Sequence, residues 1–228
     1  MVGVREGNEG YSIIENASLR KRNTFGVEAR AAMLVDVHEP AALAGLFGSA
    51  LLQARPVLAL GEGSNVLLTH DWPGIVLSMA TRGIEMLDDD GATARVRVQA
   101  GEHWNDFVHW SLVEGFSGLE NLVLIPGAVG AAPIQNIGAY GTEVREFIVE
   151  VEAWDREADH WTRLDNAQCA FAYRDSVFKR EYDRYVVTAV TFALPRQHAP
   201  RMEYAGVREE LASMRVTSPT PSTLAEAI

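Results

Sequence analysis

The stretch IPGAVGAAPIQNIGAYG, residues 125–141, decides how this chain is read. Gly127, Gly130, Gly138 and Gly141 punctuate an otherwise apolar run that includes Val129, Ile134 and Ile137. A disordered glycine-rich linker would be polar. Glycines in an apolar setting instead predict tight backbone turns packed against something flat or bulky. Gln135 and Asn136 sit in the middle, two amide side chains able to read the edge of a heteroaromatic ring. The alternative is a buried turn whose amides satisfy its own backbone, and the sequence leaves both open.

A second glycine-rich word lies upstream. Residues 56–60 form a short apolar strand candidate, and Gly61, Glu62, Gly63, Ser64 and Asn65 follow at once. Successive amides without a Cβ obstruction, with two small polar side chains, make a candidate pyrophosphate nest. A tight turn between apolar segments is the competing reading, with residues 66–68 as the second segment. The word is neither GxGxxG nor a Walker loop.

Around these words the periods alternate. Residues 29–37, 75–79, 147–154 and 185–192 read as strands, and Arg95 to Gln99 alternates polar and apolar with period two. Leu43, Leu46, Phe47, Ala50 and Leu51 recur at helical spacing after Pro40, and Trp104, Phe107, Val108, Ser111 and Leu112 form one helical face. Residues 1–16 read as a loose leading segment, and 19–26 as a basic run, solvated or phosphate-facing. The mixture predicts an α+β protein with a boundary between residues 68 and 79. At the end, Ser222 is a candidate cap for a helix over 224–228, and that helix begins where the sequence stops. This pattern is expected of a cut through a longer protein.

Composition bounds the function. The 228 residues carry a net charge of −11 with 47% hydrophobic content, which excludes a wholly disordered chain and a broad basic face for nucleic acid or anionic membrane. Cys169 is the only cysteine, so no internal disulfide or CxxC chemistry is available. Its neighbours Phe171 and Tyr173 mark it as a packed residue. No secretory signal or membrane-length apolar run is legible, and a cytoplasmic protein is expected. Six histidines show no metal-ligand spacing, so no metal is expected, and no GxSxG word marks a hydrolase nucleophile. The sharpest polar cluster is Tyr173, Arg174 and Asp175. Arg174 suits a forked grip on a carboxylate, or a structural ion pair with the adjacent aspartate.

Several words become specific together. NTFGV at 23–27, LGEGSNVL at 60–67, SGLEN at 117–121, the 125–141 run and AYRDSVFK at 172–179 occur in one order. In that order they resemble the UDP-N-acetylenolpyruvoylglucosamine reductases, a family of bacterial peptidoglycan-precursor flavoenzymes. The resemblance runs from about residue 19 to the end. It implies the FAD-binding region of the vanillyl-alcohol-oxidase-like (PCMH-type) flavoprotein fold, built of two α/β subdomains over residues 1–74 and 75–200. Residues 201–228 would then be a linker and the start of a substrate-binding domain.

The resemblance implies non-covalent FAD, held by Gly61, Glu62, Gly63, Ser64 and Asn65 and by Gly127, Gly130, Gln135, Asn136, Ile137, Gly138 and Gly141. It implies NADPH as hydride donor and UDP-N-acetylglucosamine enolpyruvate as substrate, in a monomer. Arg174 matches the family's catalytic arginine, and Tyr173 and Tyr204 fall at substrate-binding positions, although Tyr204 is followed by Ala205 and Gly206 where the family has Tyr-Gly. The family's proton-donor serine, in a GSFFKNP-like word, and its late glutamate have no counterpart. Ser213, Ser218, Ser222, Glu209 and Glu226 stand in other contexts. The chain alone is therefore expected to be inactive. A non-catalytic FAD- or nucleotide-binding module is the alternative.

Overall fold

The computed structural model describes residues 10–228 and, as backbone, residues 4–6. The first sheet holds β1 (Val4–Glu6), β2 (Tyr11–Ser18) and β3 (Arg30–Val37), followed in the chain by helices α1 (Ala42–Gly48) and α2 (Ala50–Gln53). Strands β4 (Val57–Ala59) and β5 (Trp72–Met79) complete it in the order β1-β2-β3-β5-β4. The β2–β3 pair is antiparallel, while β3–β5 and β4–β5 are parallel. Residues 11–16, the end of the segment 1–16 read from sequence as loose, thus belong to an eight-residue strand. Residues 1–3 and 7–9 of that segment lie outside the described residues.

Val35, Val37, Ile75 and Leu77 turn toward α1 and pack on Leu43 and Leu46. The expected helix over residues 43–51 is split at Ser49, whose backbone is extended and whose Oγ donates to the Leu46 carbonyl at 2.5 Å. A serine that caps the preceding turn competes with helix continuation. Residues 66–68 form no strand.

The second sheet is antiparallel throughout. Its strands are β6 (Ile84–Asp89) and β7 (Thr93–Gln99), then, past α3 (Trp104–Val113) and the two-stranded hairpin β8 (Gly138–Ala139) and β9 (Thr142–Glu143), β10 (Ile148–Asp155) and β11 (His160–Asp165). After α4 (Val177–Arg180), β12 (Tyr185–Pro195) enters the middle, giving the order β11-β10-β12-β7-β6. The period-two reading of β7 holds: Ala94, Val96 and Val98 are buried and Arg95 is exposed. Trp104, Phe107 and Val108 of α3 cover that face, with the Phe107 and Phe192 rings 4.8 Å apart.

The break between sheets falls between Met79 and Ile84, so a boundary at residue 74 would run through β5. The lobes are joined by packing: Trp154 of β10 and Val186 of β12 enter the core of the first lobe.

Residues 201–228 fold back on the second lobe instead of leading away from it. Helix α5 (Val207–Ser213) and α6 (Pro221–Ala227) bury Val207, Leu211 and Leu224, and Ala225 and Ile228 reach the second-lobe core. The cap of α6 is Thr220, two residues before the predicted Ser222. Its Oγ1 accepts from the Thr223 backbone N–H at 3.2 Å, and Pro221 occupies the first turn, where its missing N–H costs nothing.

Candidate functional site

The two glycine-rich words meet across the lobes. Leaving β4, the chain turns through residues 61–65 and faces residues 125–135 around a cavity of about 300 Å³, walled also by Trp104, Phe178, Lys179, Tyr182 and Tyr185. A second cavity, of about 400 Å³, lies against the same turn and shares Gly61, Glu62 and Ala128 with the first. Its other walls include Lys21, Arg22, Arg82 and His103.

Glycine is required at the turn. Gly63 has φ +66°, and a Cβ there would lie 2.2 Å from the Arg22 carbonyl oxygen. Its own carbonyl accepts from the Thr24 N–H at 3.3 Å, docking the turn on the NTFGV word. Across the cleft, Gly130 approaches Ala100 so closely that a Cβ would sit 2.6 Å from the alanine Cβ. The lobes are stitched by side chains: Ser64 Oγ donates to the Pro126 carbonyl at 3.1 Å, and Asn65 Nδ2 donates to Gln135 Oε1 at 2.8 Å.

The decisive feature is what these backbone groups leave undone. Among the described residues, the N–H groups of Gly61, Glu62, Gly63, Ser64 and Asn65 donate to no protein acceptor. Five consecutive undischarged donors beside a cavity form a concave positive patch suited to an anion. The sequence alternative for this loop, a tight turn between two apolar strands, is met on one side only: β4 leads into the turn, and residues 66–68 form no strand.

The amides divide. Gln135 lines the cavity. Asn136 is fully buried; its Nδ2 donates to the Ala172 carbonyl at 2.9 Å and its Oδ1 accepts from the Arg145 N–H at 3.1 Å. Both ends are spent on backbone, so Asn136 holds the run against the 172–175 turn and does not present an edge to the cavity. Ile137 lines the cavity, whereas Gly138 and Gly141 belong to the β8–β9 hairpin beyond it.

Tyr173 and Arg174 occupy the tip of a turn closed by reciprocal backbone bonds between Ala172 and Asp175 at 3.0 and 3.2 Å. Asp175 pairs with Arg180, and Arg174 forms no ion pair among the described residues. The sequence alternative of an Arg174–Asp175 pair is therefore not realised. Arg174 has φ +52°, and its guanidinium donates to the Gly138 carbonyl. Its guanidinium lies 5.7 Å over the Tyr173 ring, at the hairpin and outside the cavity wall, while Lys179 of that wall donates to the Arg174 carbonyl at 2.8 Å. Tyr204 stands on the same hairpin, its ring 5.0 Å from that of Tyr140 and 57% exposed. Arg174 and Tyr204 thus reach the two ends of one short hairpin from distant parts of the chain.

Sequence reasoning missed Tyr182, Arg82 and His103 as wall residues. His103 Nδ1 contacts the Glu62 carboxylate, and its Nε2 lies 3.3 Å from Arg82. No spacing in the sequence joins these positions. Cys169 is buried, with burial pushing its thiol up to about 12, and no group of three or more metal-ligating side chains occurs among the described residues.

Residues 31–162 match the family model described as an FAD-binding domain, more than half of the chain. The chain belongs to the FAD-binding domain family. Among curated relatives, the UDP-N-acetylenolpyruvoylglucosamine reductase of Xanthomonas campestris pv. campestris (strain 8004) is 49% identical over 218 residues, covering 96% of this chain and 62% of that protein. The FAD-binding domain chain thus spans about three-fifths of the length of the curated relatives it matches. Among solved structures, the UDP-N-acetylenolpyruvylglucosamine reductase of Thermus caldophilus superposes with a TM-score of 0.67 at 23% identity, covering 96% of this chain and 72% of that one. A p-cresol methylhydroxylase gives 0.52 at 13% identity, over 78% of this chain and 37% of that one. Both likenesses carry the fold, and the PCMH-type architecture expected from sequence is the one observed. No helix among the described residues is long and apolar enough to cross a membrane.

Proposed function

We propose that this chain is the flavin-holding part of an NADPH-dependent UDP-N-acetylenolpyruvoylglucosamine reductase, a cytoplasmic, monomeric enzyme of peptidoglycan precursor synthesis. The observation that carries the reading is the row of five undischarged N–H donors at residues 61–65, facing the 125–135 run across a cleft. A pyrophosphate suits such a row because the donors have no protein acceptor and no Cβ intrudes at Gly61 or Gly63. Gln135 and Ile137 line the part of the cleft beside it and would pack against a flat ring system. Buried, unreactive Cys169 supports non-covalent attachment.

Held there by residues 61–65 and the 125–135 run, FAD would supply the two-electron chemistry that couples NADPH oxidation to reduction of the enolpyruvyl double bond of UDP-N-acetylglucosamine enolpyruvate, a reduction that also takes up one proton. The chain's own residues orient and polarise the substrate. Arg174 carries an unpaired guanidinium at the tip of a rigid turn, suited to grip the enolpyruvyl carboxylate and stabilise charge that develops next to it. Tyr173, 80% exposed beside Arg174, and Tyr204, packed against Tyr140 of the hairpin, offer aromatic surface to the sugar nucleotide.

Rapid-mixing kinetics on the natural full-length protein test this role. Arg174→Ala is expected to leave flavin reduction by NADPH near the wild-type rate and to slow reoxidation by the enolpyruvyl substrate about 10²- to 10³-fold. Equal losses in both half-reactions would instead make Arg174 a folding or flavin-binding residue. Flavin that stays bound but is never reduced by NADPH would favour a non-catalytic flavin module.

A further inference from the structure

Among the described residues, Lys179 is the one Lys, Arg or His side chain that lines the cavity of about 300 Å³. It forms no ion pair there. Of the two acidic residues on that wall, Glu62 contacts His103 and Asp183 lies within electrostatic reach of Arg156. The Lys179 ammonium instead donates to the Arg174 carbonyl at 2.8 Å, and among the described residues that carbonyl has no other donor. Arg174 needs such a hold. Its φ of +52° is one that an L-residue adopts only at a cost, so the turn relaxes unless its neighbours fix it. The turn is anchored on either side of Arg174. Asn136 holds the Ala172 carbonyl, and buried Ser176, whose Oγ donates to the Ile134 carbonyl at 2.6 Å, caps α4. Lys179, on α4, fixes Arg174 itself from the cavity side.

We propose that Lys179 is a positioning residue that couples the flavin cavity to the substrate-gripping arginine. The inference rests on the flavin ring occupying the cavity beside Gln135 and Ile137, and on Arg174 meeting the enolpyruvyl carboxylate. Lys179 sets a positive charge in the wall of that cavity and, with the same ammonium, fixes the Arg174 peptide. A fixed cation beside a ring that takes up two electrons favours the reduced form. The hold on the peptide sets where the Arg174 guanidinium meets the carboxylate, and a misplacement of about 1 Å is enough to slow such a step. The two effects oppose each other when the flavin is reoxidised. Loss of the charge makes the reduced flavin a stronger donor and speeds that step, whereas loss of the hold slows it.

The test uses the natural full-length protein loaded with FAD, as wild type, Lys179→Met, which keeps the apolar stem, and Lys179→Arg, which keeps the charge. Lys179→Met is expected to shift the balance of oxidised and reduced flavin about tenfold toward oxidised, a midpoint potential about 30 mV lower for a two-electron couple. Lys179→Arg should hold the wild-type potential. Although its flavin is then the stronger donor, Lys179→Met should be reoxidised by the enolpyruvyl substrate at about one-tenth of the wild-type rate. In an Arg174→Ala background the same substitution should not slow reoxidation further, because Lys179 acts through Arg174. An unchanged potential in Lys179→Met, or equal slowing with and without Arg174, would overturn the inference. Wild-type flavin that NADPH reduces but the enolpyruvyl substrate never reoxidises would instead refute the reductase reading on which it rests.

Discussion

Replacing Gly63 by alanine separates the two reasons for glycine at the cofactor turn, because Gly26 provides a matched control. The two have nearly the same left-handed backbone, φ +66° and +63°. Holding an L-residue there costs about 1–2 kcal/mol at either site. At Gly26 nothing lies within 4 Å of the added methyl, so strain is the whole cost. At Gly63 the methyl would meet the Arg22 carbonyl oxygen at 2.2 Å and Asn23 Cα at 2.9 Å, both backbone atoms that cannot swing aside as a side chain would. The 22–23 turn would have to retreat by about 1 Å to reach ordinary contact.

That turn is fixed by buried Asn23, whose Nδ2 donates to the Leu19 and Val27 carbonyls at 2.8 and 3.0 Å and whose Oδ1 accepts from the Val27 N–H at 3.0 Å. Overpacking against so fixed a neighbour adds about 1–3 kcal/mol, for a total near 3 kcal/mol. In a chain of this size that lowers Tm by about 6–12 °C, against about 2–8 °C for Gly26→Ala. Differential scanning fluorimetry on both variants measures the difference, and FAD titration of the same samples should show weaker binding for Gly63→Ala alone. Equal melting temperatures for the two variants would refute the close approach of the 61–65 turn to Arg22.

Two further outcomes follow from buried chemistry. The Arg97 guanidinium hydrogen-bonded to Glu152 at 2.6 and 2.8 Å holds that carboxyl below its usual range against the effect of burial. Its stabilisation is therefore complete above the ordinary carboxylate range and is lost as pH falls through the lowered value. Urea midpoints should be flat from neutrality to about pH 4.5 and then decline, and Glu152→Gln should cost about 1–2 kcal/mol at neutral pH while making the acid decline shallower. Cys169 should resist a thiol-reactive chromophore in the native protein and react once per chain in denaturant, because burial pushes its thiol up to about 12; rapid labelling of the native chain would place it near the surface.

The site was more legible than the fold around it. Gly61, Gly63, Gly127 and Gly130 stand out as glycines in an apolar setting, and the structure puts all four at the cleft between the lobes, with a close approach that excludes a Cβ at Gly63 and Gly130 and a left-handed backbone at Gly63 and Gly127. Strand β7 could be read because one face is buried and the other exposed. Strand β6 could not: apart from Ile84 its residues are exposed, and the acidic Glu85, Asp88 and Asp89 leave no apolar period on this edge strand. Its existence depends on pairing with β7, which is a tertiary fact. The same holds for β2, where only Ala17 is fully buried. Asn136 shows the converse error. An amide in a glycine-rich run suits ligand recognition or turn-holding equally well by composition, and only the positions of the Ala172 carbonyl and the Arg145 N–H decide for the second. The Glu62–His103–Arg82 chain joins residues 20 to 41 positions apart, beyond the reach of any local pattern.

The central claim is that the cleft between the two glycine-rich words holds FAD without a covalent bond. Its most direct test is to saturate the 228-residue chain with FAD, remove excess by gel filtration, denature the protein and measure flavin in the protein-free filtrate. The account predicts close to one FAD released per chain, with none left on the polypeptide. A colourless chain after gel filtration, or flavin that remains with the denatured protein, would contradict it.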